Sequence, residues 1–99
     1  MIEFGKEKLY IRVEKYMMYD NMALALYTEE GEPYVNLSVN IDSLPDGWCA
    51  IDTNNFPEGE ELICKYHLGE KVGEIGSGFC KYPIYEMNME EVNKYVRSN

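Results

Sequence analysis

"YVNLSVNI", residues 34–41, is the stretch on which the fold turns. Val35, Leu37, Val39 and Ile41 fall on one side of an extended chain and Tyr34, Asn36, Ser38 and Asn40 on the other. That is the period-two pattern of a strand with one buried and one wet face. Upstream, Thr28-Glu29-Glu30-Gly31-Glu32-Pro33 is a compact turn leading back to the apolar run Met22-Ala23-Leu24-Ala25-Leu26-Tyr27. By itself that run also fits a short helix. Next to an alternating strand it reads as a central strand covered on both faces. Tyr19-Asp20-Asn21 supplies the turn before it, and Leu9, Ile11 and Val13 alternating with Tyr10, Arg12 and Glu14 give another strand.

Downstream, Asp42 to Gly47 is a loop containing the turn signal Pro45-Asp46-Gly47, and residues 48–52 form a short return strand. A helix start follows in "IDTNNFPEGEELI", residues 51–63. Asn55 can cap with Glu58 three residues on, or Pro57 can take the first helical position, where its missing N–H costs nothing. Glu58, Glu60 and Glu61 then occupy the first turn, where the helix dipole favours negative charge. Leu62, Ile63 and Tyr66 form the buried stripe, with Gly69 as the C-terminal cap.

Residues 72–75 read as a short strand, Gly76 and Gly78 as a tight turn or bulge, and residues 79–85 as a strand in which Pro83 argues for an edge or an irregularity. Asn88 caps a closing helix with Met89, Val92 and Val96 on one face. Strands surround two helices without βαβ alternation. The expected fold is therefore α+β, a mostly antiparallel sheet of about four to six strands with two helices packed on one face.

Ninety-nine residues suit a single domain, residues 1–99, because a second core would be too small to hold. Cys49, Cys64 and Cys80 are an odd number at wide spacing, which fits reduced thiols in a cytoplasmic protein better than a secreted disulfide framework. Neither a secretion signal at the N-terminus nor an apolar run of membrane-spanning length is expected.

The net charge of −9 is unevenly shared. Residues 16–64 hold ten acids and no Lys or Arg, residues 1–15 three acids and four bases, and residues 65–99 five of each. Such a surface repels nucleic acid and anionic lipid and speeds encounter with basic partners. Solubility is the plainer use of the same charge.

As a calcium loop, residues 52–63 fail at position five (Phe56), six (Pro57) and twelve (Ile63). Cys64 and His67, three apart, could be half a metal site or an activated thiolate, but the further ligands Cys49 and Cys80 lack zinc-ribbon spacing and no orienting group is evident. Gly73, Gly76 and Gly78 lead into a strand, whereas a phosphate cradle leads into a helix. No basic stripe accompanies the aromatics, so direct nucleic-acid binding is not expected. Nor is a cofactor or an enzymatic activity.

Among nine tyrosines, Tyr10, Tyr34 and Tyr82 fall opposite the core faces of their strands. Exposed aromatic area favours protein partners, and cover by the helices is its bland alternative. The candidate contact residues are accordingly Tyr10, Tyr34, Asp42, Asp46, Glu58, Glu60, Glu61 and Tyr82.

Three blocks, Gly31–Asn40, Asp52–Pro57 and Ser77–Glu86, together resemble a domain family of unknown function, made of short proteins from conjugative and other mobile elements of Gram-positive gut bacteria. The similarity runs from about Leu9 to Glu86, its second and third blocks being the more specific. It implies a mobile-element cargo protein in a bacterial cytoplasm and no established activity. It also implies a basic residue just before the Ser77 block, where this chain has Ile75 and Gly76 and so lacks whatever contact that residue makes. The leading expectation is a non-enzymatic protein-binding module with an acidic surface and a partner of basic character. Its rivals are a DNA-mimic inhibitor of a host restriction or nuclease system and a small Cys/His metal protein or enzyme.

Overall fold

In the computed structural model, which describes residues 1–97, the alternating run 34–41 is two strands in two sheets. The first sheet has the order β1 (Ile2–Phe4), β2 (Glu7–Lys15), β3 (Met22–Thr28), β4 (Pro33–Asn36). The second has the spatial order β5 (Ser38–Val39), β6 (Trp48–Ile51), β8 (Cys80–Met87), β7 (Gly69–Ser77). All named pairs are antiparallel, and two short helices, α1 (Gly59–Lys65) and α2 (Met89–Asn93), complete the described elements. The α+β class holds, but two four-stranded sheets replace the single sheet with helices on one face.

Leu37 makes the switch. Its N–H donates to Leu24 O in the first sheet at 2.9 Å, while its carbonyl turns away and accepts from Asp52 N beside the second at 2.9 Å. In a regular antiparallel pair that carbonyl would have taken the Leu24 N–H. Ser38 Oγ takes it instead, at 2.8 Å, and also bonds the Tyr16 hydroxyl at 2.9 Å. The polar row expected to be wet is thus wet only in part: Tyr34 and Asn36 are exposed, Asn40 is half-buried, and Ser38 is buried.

Leu9, Ile11, Leu24 and Leu26 from the first sheet and Cys49, Ile51, Tyr85 and Met87 from the second join one core cluster with Leu37, Phe56, Leu62, Ile63, Leu68 and Val92. The outer face of β3 is less covered than expected, since Ala23, Ala25 and Tyr27 remain half-exposed. β2 outlasts β1, and the C-terminal segment takes the free edge, Ile11 N–H donating to Tyr95 O at 2.9 Å beside a parallel bridge from Ile11 to Val96.

The start of α1 differs from the capping expectations. Glu58 is its N-cap, without a side-chain bond, and Asn55 instead donates its backbone and amide N–H groups to the Asp52 carboxylate at 3.3 and 3.0 Å. That fold-back buries Phe56 and delays the helix. At the other end His67, with φ 56°, is the left-handed residue: His67 N–H donates to Cys64 O and Leu68 N–H to Ile63 O, a Schellman ending without glycine. Gly69 lies in β7, where a Cβ would stand 2.7 Å from Glu86 O. Close approach of β7 to β8, not helix capping, therefore requires this glycine.

Asn88 caps α2 as expected, accepting from Glu91 N. Pro83 sits where the β6–β8 pairing ends at Ile84, so it breaks no central ladder on that side. Gly78, φ 62°, leads the two-residue loop between the paired Ser77 and Cys80, as a type II′ turn requires.

Candidate functional site

The connection between β2 and β3 carries side chains that a strand pattern would have buried. Tyr16 N–H donates to Asn21 O at 2.9 Å, closing the loop, and within it Tyr19 (φ 65°) and Asp20 (φ 55°) are both left-handed. Asp tolerates that conformation, whereas Tyr does so only at a strain of about 1–3 kcal/mol. The result is that Met17 is fully exposed, and Met18 and Tyr19 are 67% and 47% exposed.

A buried amide holds this shape. Asn21 donates to Asn40 Oδ1 at 2.9 Å and to Asp42 O at 2.6 Å, and its own Oδ1 accepts from Leu44 N at 3.0 Å. Asn40 in turn donates to Met18 O at 3.0 Å. The tip is therefore tied to the loop between β5 and β6 rather than left to sway. Two methionines and a tyrosine thus make an exposed apolar patch on a fixed turn.

Acids surround it. Asp46 shares a cleft of about 170 Å³ with Glu14, Asp20, Asn21 and Leu44, with Lys15 the one base on its lining. Asp42 is exposed on the same tied loop. Glu58, Glu60 and Glu61 lie elsewhere, beyond the far end of β6, whose four residues span about 13 Å. The structure thus brings Asp42 and Asp46 to the tip and separates them from the helix acids. Glu60 is half-buried and accepts a hydrogen bond from the Tyr85 hydroxyl at 2.6 Å. Burial, reinforced by that bond and by the Glu60 charge, pushes the Tyr85 phenol well above its ordinary range.

The predicted tyrosines also part company. Tyr34 is exposed and packs edge-on against Phe4, centroids 6.2 Å apart. Tyr10 is half-buried on the outer face of β2 under the Arg97 guanidinium. Tyr82 is 8% exposed, so its expected place on an open face is corrected: β8 is an interior strand, flanked at both edges by β6 and β7.

Cys64 and His67 are exposed and line a groove of about 590 Å³ with Glu70 and Glu86. Among the described residues no three His, Cys, Asp or Glu side chains cluster as a metal site. All three cysteines are free, and Cys49, being buried, has its thiol pushed up to about 12 by desolvation. No described helix is long and apolar enough to cross a membrane.

Met17, Met18, Tyr19 and Asn21 were missed by sequence reasoning. Their signal was present: Tyr16-Met17-Met18-Tyr19 sets four large apolar residues directly against the turn residues Asp20-Asn21, where no strand face can bury them. Phe79, fully exposed at the β7–β8 turn, is a second apolar tip. It stands at the opposite end of β8, whose eight residues span about 26 Å, from Met87, which bonds Gly47 at the foot of the acidic loop.

The family model described as Domain of unknown function (DUF4313) matches residues 10–99. No curated protein and no solved structure matches the chain.

Proposed function

We propose that the chain, which belongs to the DUF4313 family of domains of unknown function, is a non-enzymatic protein-binding module that engages its partner through the β2–β3 tip. One observation carries this reading: three consecutive large apolar side chains, Met17, Met18 and Tyr19, are held in solvent by a turn whose strain and buried Asn21 network keep it in one shape. A turn that only joined two strands would need neither the apolar residues nor the strain.

Asp20, Asp42 and Asp46 around the tip favour a partner with an apolar recess rimmed by Lys or Arg. The rim charges then set the rate of encounter, and the apolar knob sets the residence time. The resemblance of the three sequence blocks to mobile-element proteins of Gram-positive bacteria supports an accessory role in that setting, in the cytoplasm. A charge mimic has weaker support, because the predicted acids do not form one row.

The test is capture of partners from nuclease-treated Gram-positive lysate by the wild-type chain, by Met17→Ser/Met18→Ser and by Asp42→Asn/Asp46→Asn. The apolar pair should lose the captured protein at every salt concentration, and the acid pair should weaken capture chiefly at low salt. Equal capture by all three proteins would contradict the assignment of the tip.

A further inference from the structure

The outer face of the first sheet runs against the overall charge of the chain. Tyr10 and Tyr27 are direct cross-strand partners on β2 and β3, so their side chains stand next to each other on the face turned from the core. Arg12 lies over the Tyr27 ring at 5.0 Å from its centroid, and Arg97 over the Tyr10 ring at 4.9 Å. These four side chains, with Gly31, line a groove of about 580 Å³.

Stacking on a ring holds a guanidinium flat and leaves its in-plane N–H groups to bond outward. Arg12 uses Nε on Glu14, 2.9 Å away, and Arg97 uses Nη1 on the Glu29 carbonyl. The rest of each fork has no hydrogen-bond partner among the described residues. Two such cations stand over neighbouring rings, and an anion in the groove between them is attracted to both. Glu14 offsets part of Arg12's charge, and among the described residues Arg97 bonds a neutral carbonyl and no carboxylate.

A carboxylate carries one charge and suits one fork. A phosphate monoester carries about −1.5 to −2 at neutral pH and offers three acceptor oxygens, enough for both. We propose that this groove binds a small phosphate monoester, its phosphate bridging Arg12 and Arg97 and its organic group lying along Tyr10 and Tyr27. The site is independent of the β2–β3 tip.

Titration of the full chain at low ionic strength with phenyl phosphate, inorganic phosphate and benzoate, followed by amide chemical shifts, tests the assignment. Saturable shifts are expected at Tyr10, Tyr27 and Gly31, with phenyl phosphate the tightest of the three probes. Arg12→Gln and Arg97→Gln, checked as folded by their amide spectra, should each weaken binding by about tenfold or more, the usual loss of a charged hydrogen-bond donor. Arg12→Lys should weaken it as well, because charge without the fork is retained. Benzoate or inorganic phosphate binding as tightly as phenyl phosphate, full affinity in any of the three variants, or shifts that never saturate would overturn the proposal.

Discussion

Ser38→Ala is the sharpest perturbation of this architecture, because it removes one oxygen at the point where the chain leaves one sheet for the other. Ser38 is buried and its Oγ is the acceptor for Leu24 N–H at 2.8 Å. No backbone carbonyl replaces it, since that of Leu37 is engaged with Asp52. Leu24 is itself buried, so its N–H would be left without a partner and out of reach of water, at about 1–3 kcal/mol. Loss of the Tyr16 hydroxyl bond adds less, because Tyr16 is half-buried and water can substitute. Taking about 2 kcal/mol, and about 4–8 °C per kcal/mol for a domain of this size, the melting temperature should fall by about 8–16 °C. Urea unfolding followed by the fluorescence of Trp48, the single tryptophan, should show a lower midpoint at unchanged slope. Tyr16→Phe is the control and should cost about 0.5–1.5 kcal/mol. If Ser38→Ala lost less than Tyr16→Phe, the claim that a side chain completes the interrupted ladder would be refuted.

Three other outcomes are expected. His67→Gly should stabilise the protein by about 0.5–1 kcal/mol in the same assay, since His67 occupies a left-handed Schellman position that glycine adopts without strain. Gly69→Ala should destabilise it by about 1–3 kcal/mol, because the new methyl meets the Glu86 carbonyl at 2.7 Å and backbone must move. With Cys49 raised to about 12 by burial, its proton is held more tightly folded than unfolded; that contribution is complete below the ordinary thiol range and is lost as pH climbs through the folded value. Aromatic disulfide reagents at neutral pH should accordingly label exposed Cys64 rapidly and Cys49 only on unfolding, and stability should decline above about pH 9.

The strands were legible because their faces differ. Leu9, Ile11 and Val13 point to the core as their spacing requires, and the Asn88 cap was readable from the side chain alone. The break at Leu37 was not legible, since a strand that changes sheets keeps its alternation on both sides of the bend. Nor could a period-two pattern reveal that Ser38 would be buried to serve a backbone N–H on another strand. At α1 a local rule misled: Asn55, Pro57 and Glu58 all suit a helix start, but Asp52 captures Asn55 and burying Phe56 outweighs early capping. His67 took the capping place expected of Gly69 for a similar reason, the need for β7 to approach β8 closely at Gly69 being a tertiary matter. Of the candidate contact residues, Asp42 and Asp46 reach the tip through Asn21, a buried network that sequence spacing does not show.

The central claim is that the β2–β3 tip meets another protein, and site-specific photo-crosslinking in living bacteria tests it most directly. A crosslinking residue would replace Met18, with Val72 and Phe79, exposed apolar positions in the other sheet, as controls. The account predicts one discrete adduct from position 18, weakened by Asp42→Asn/Asp46→Asn, and none from position 72 or 79. An adduct from position 72 or 79 with none from 18 would contradict it.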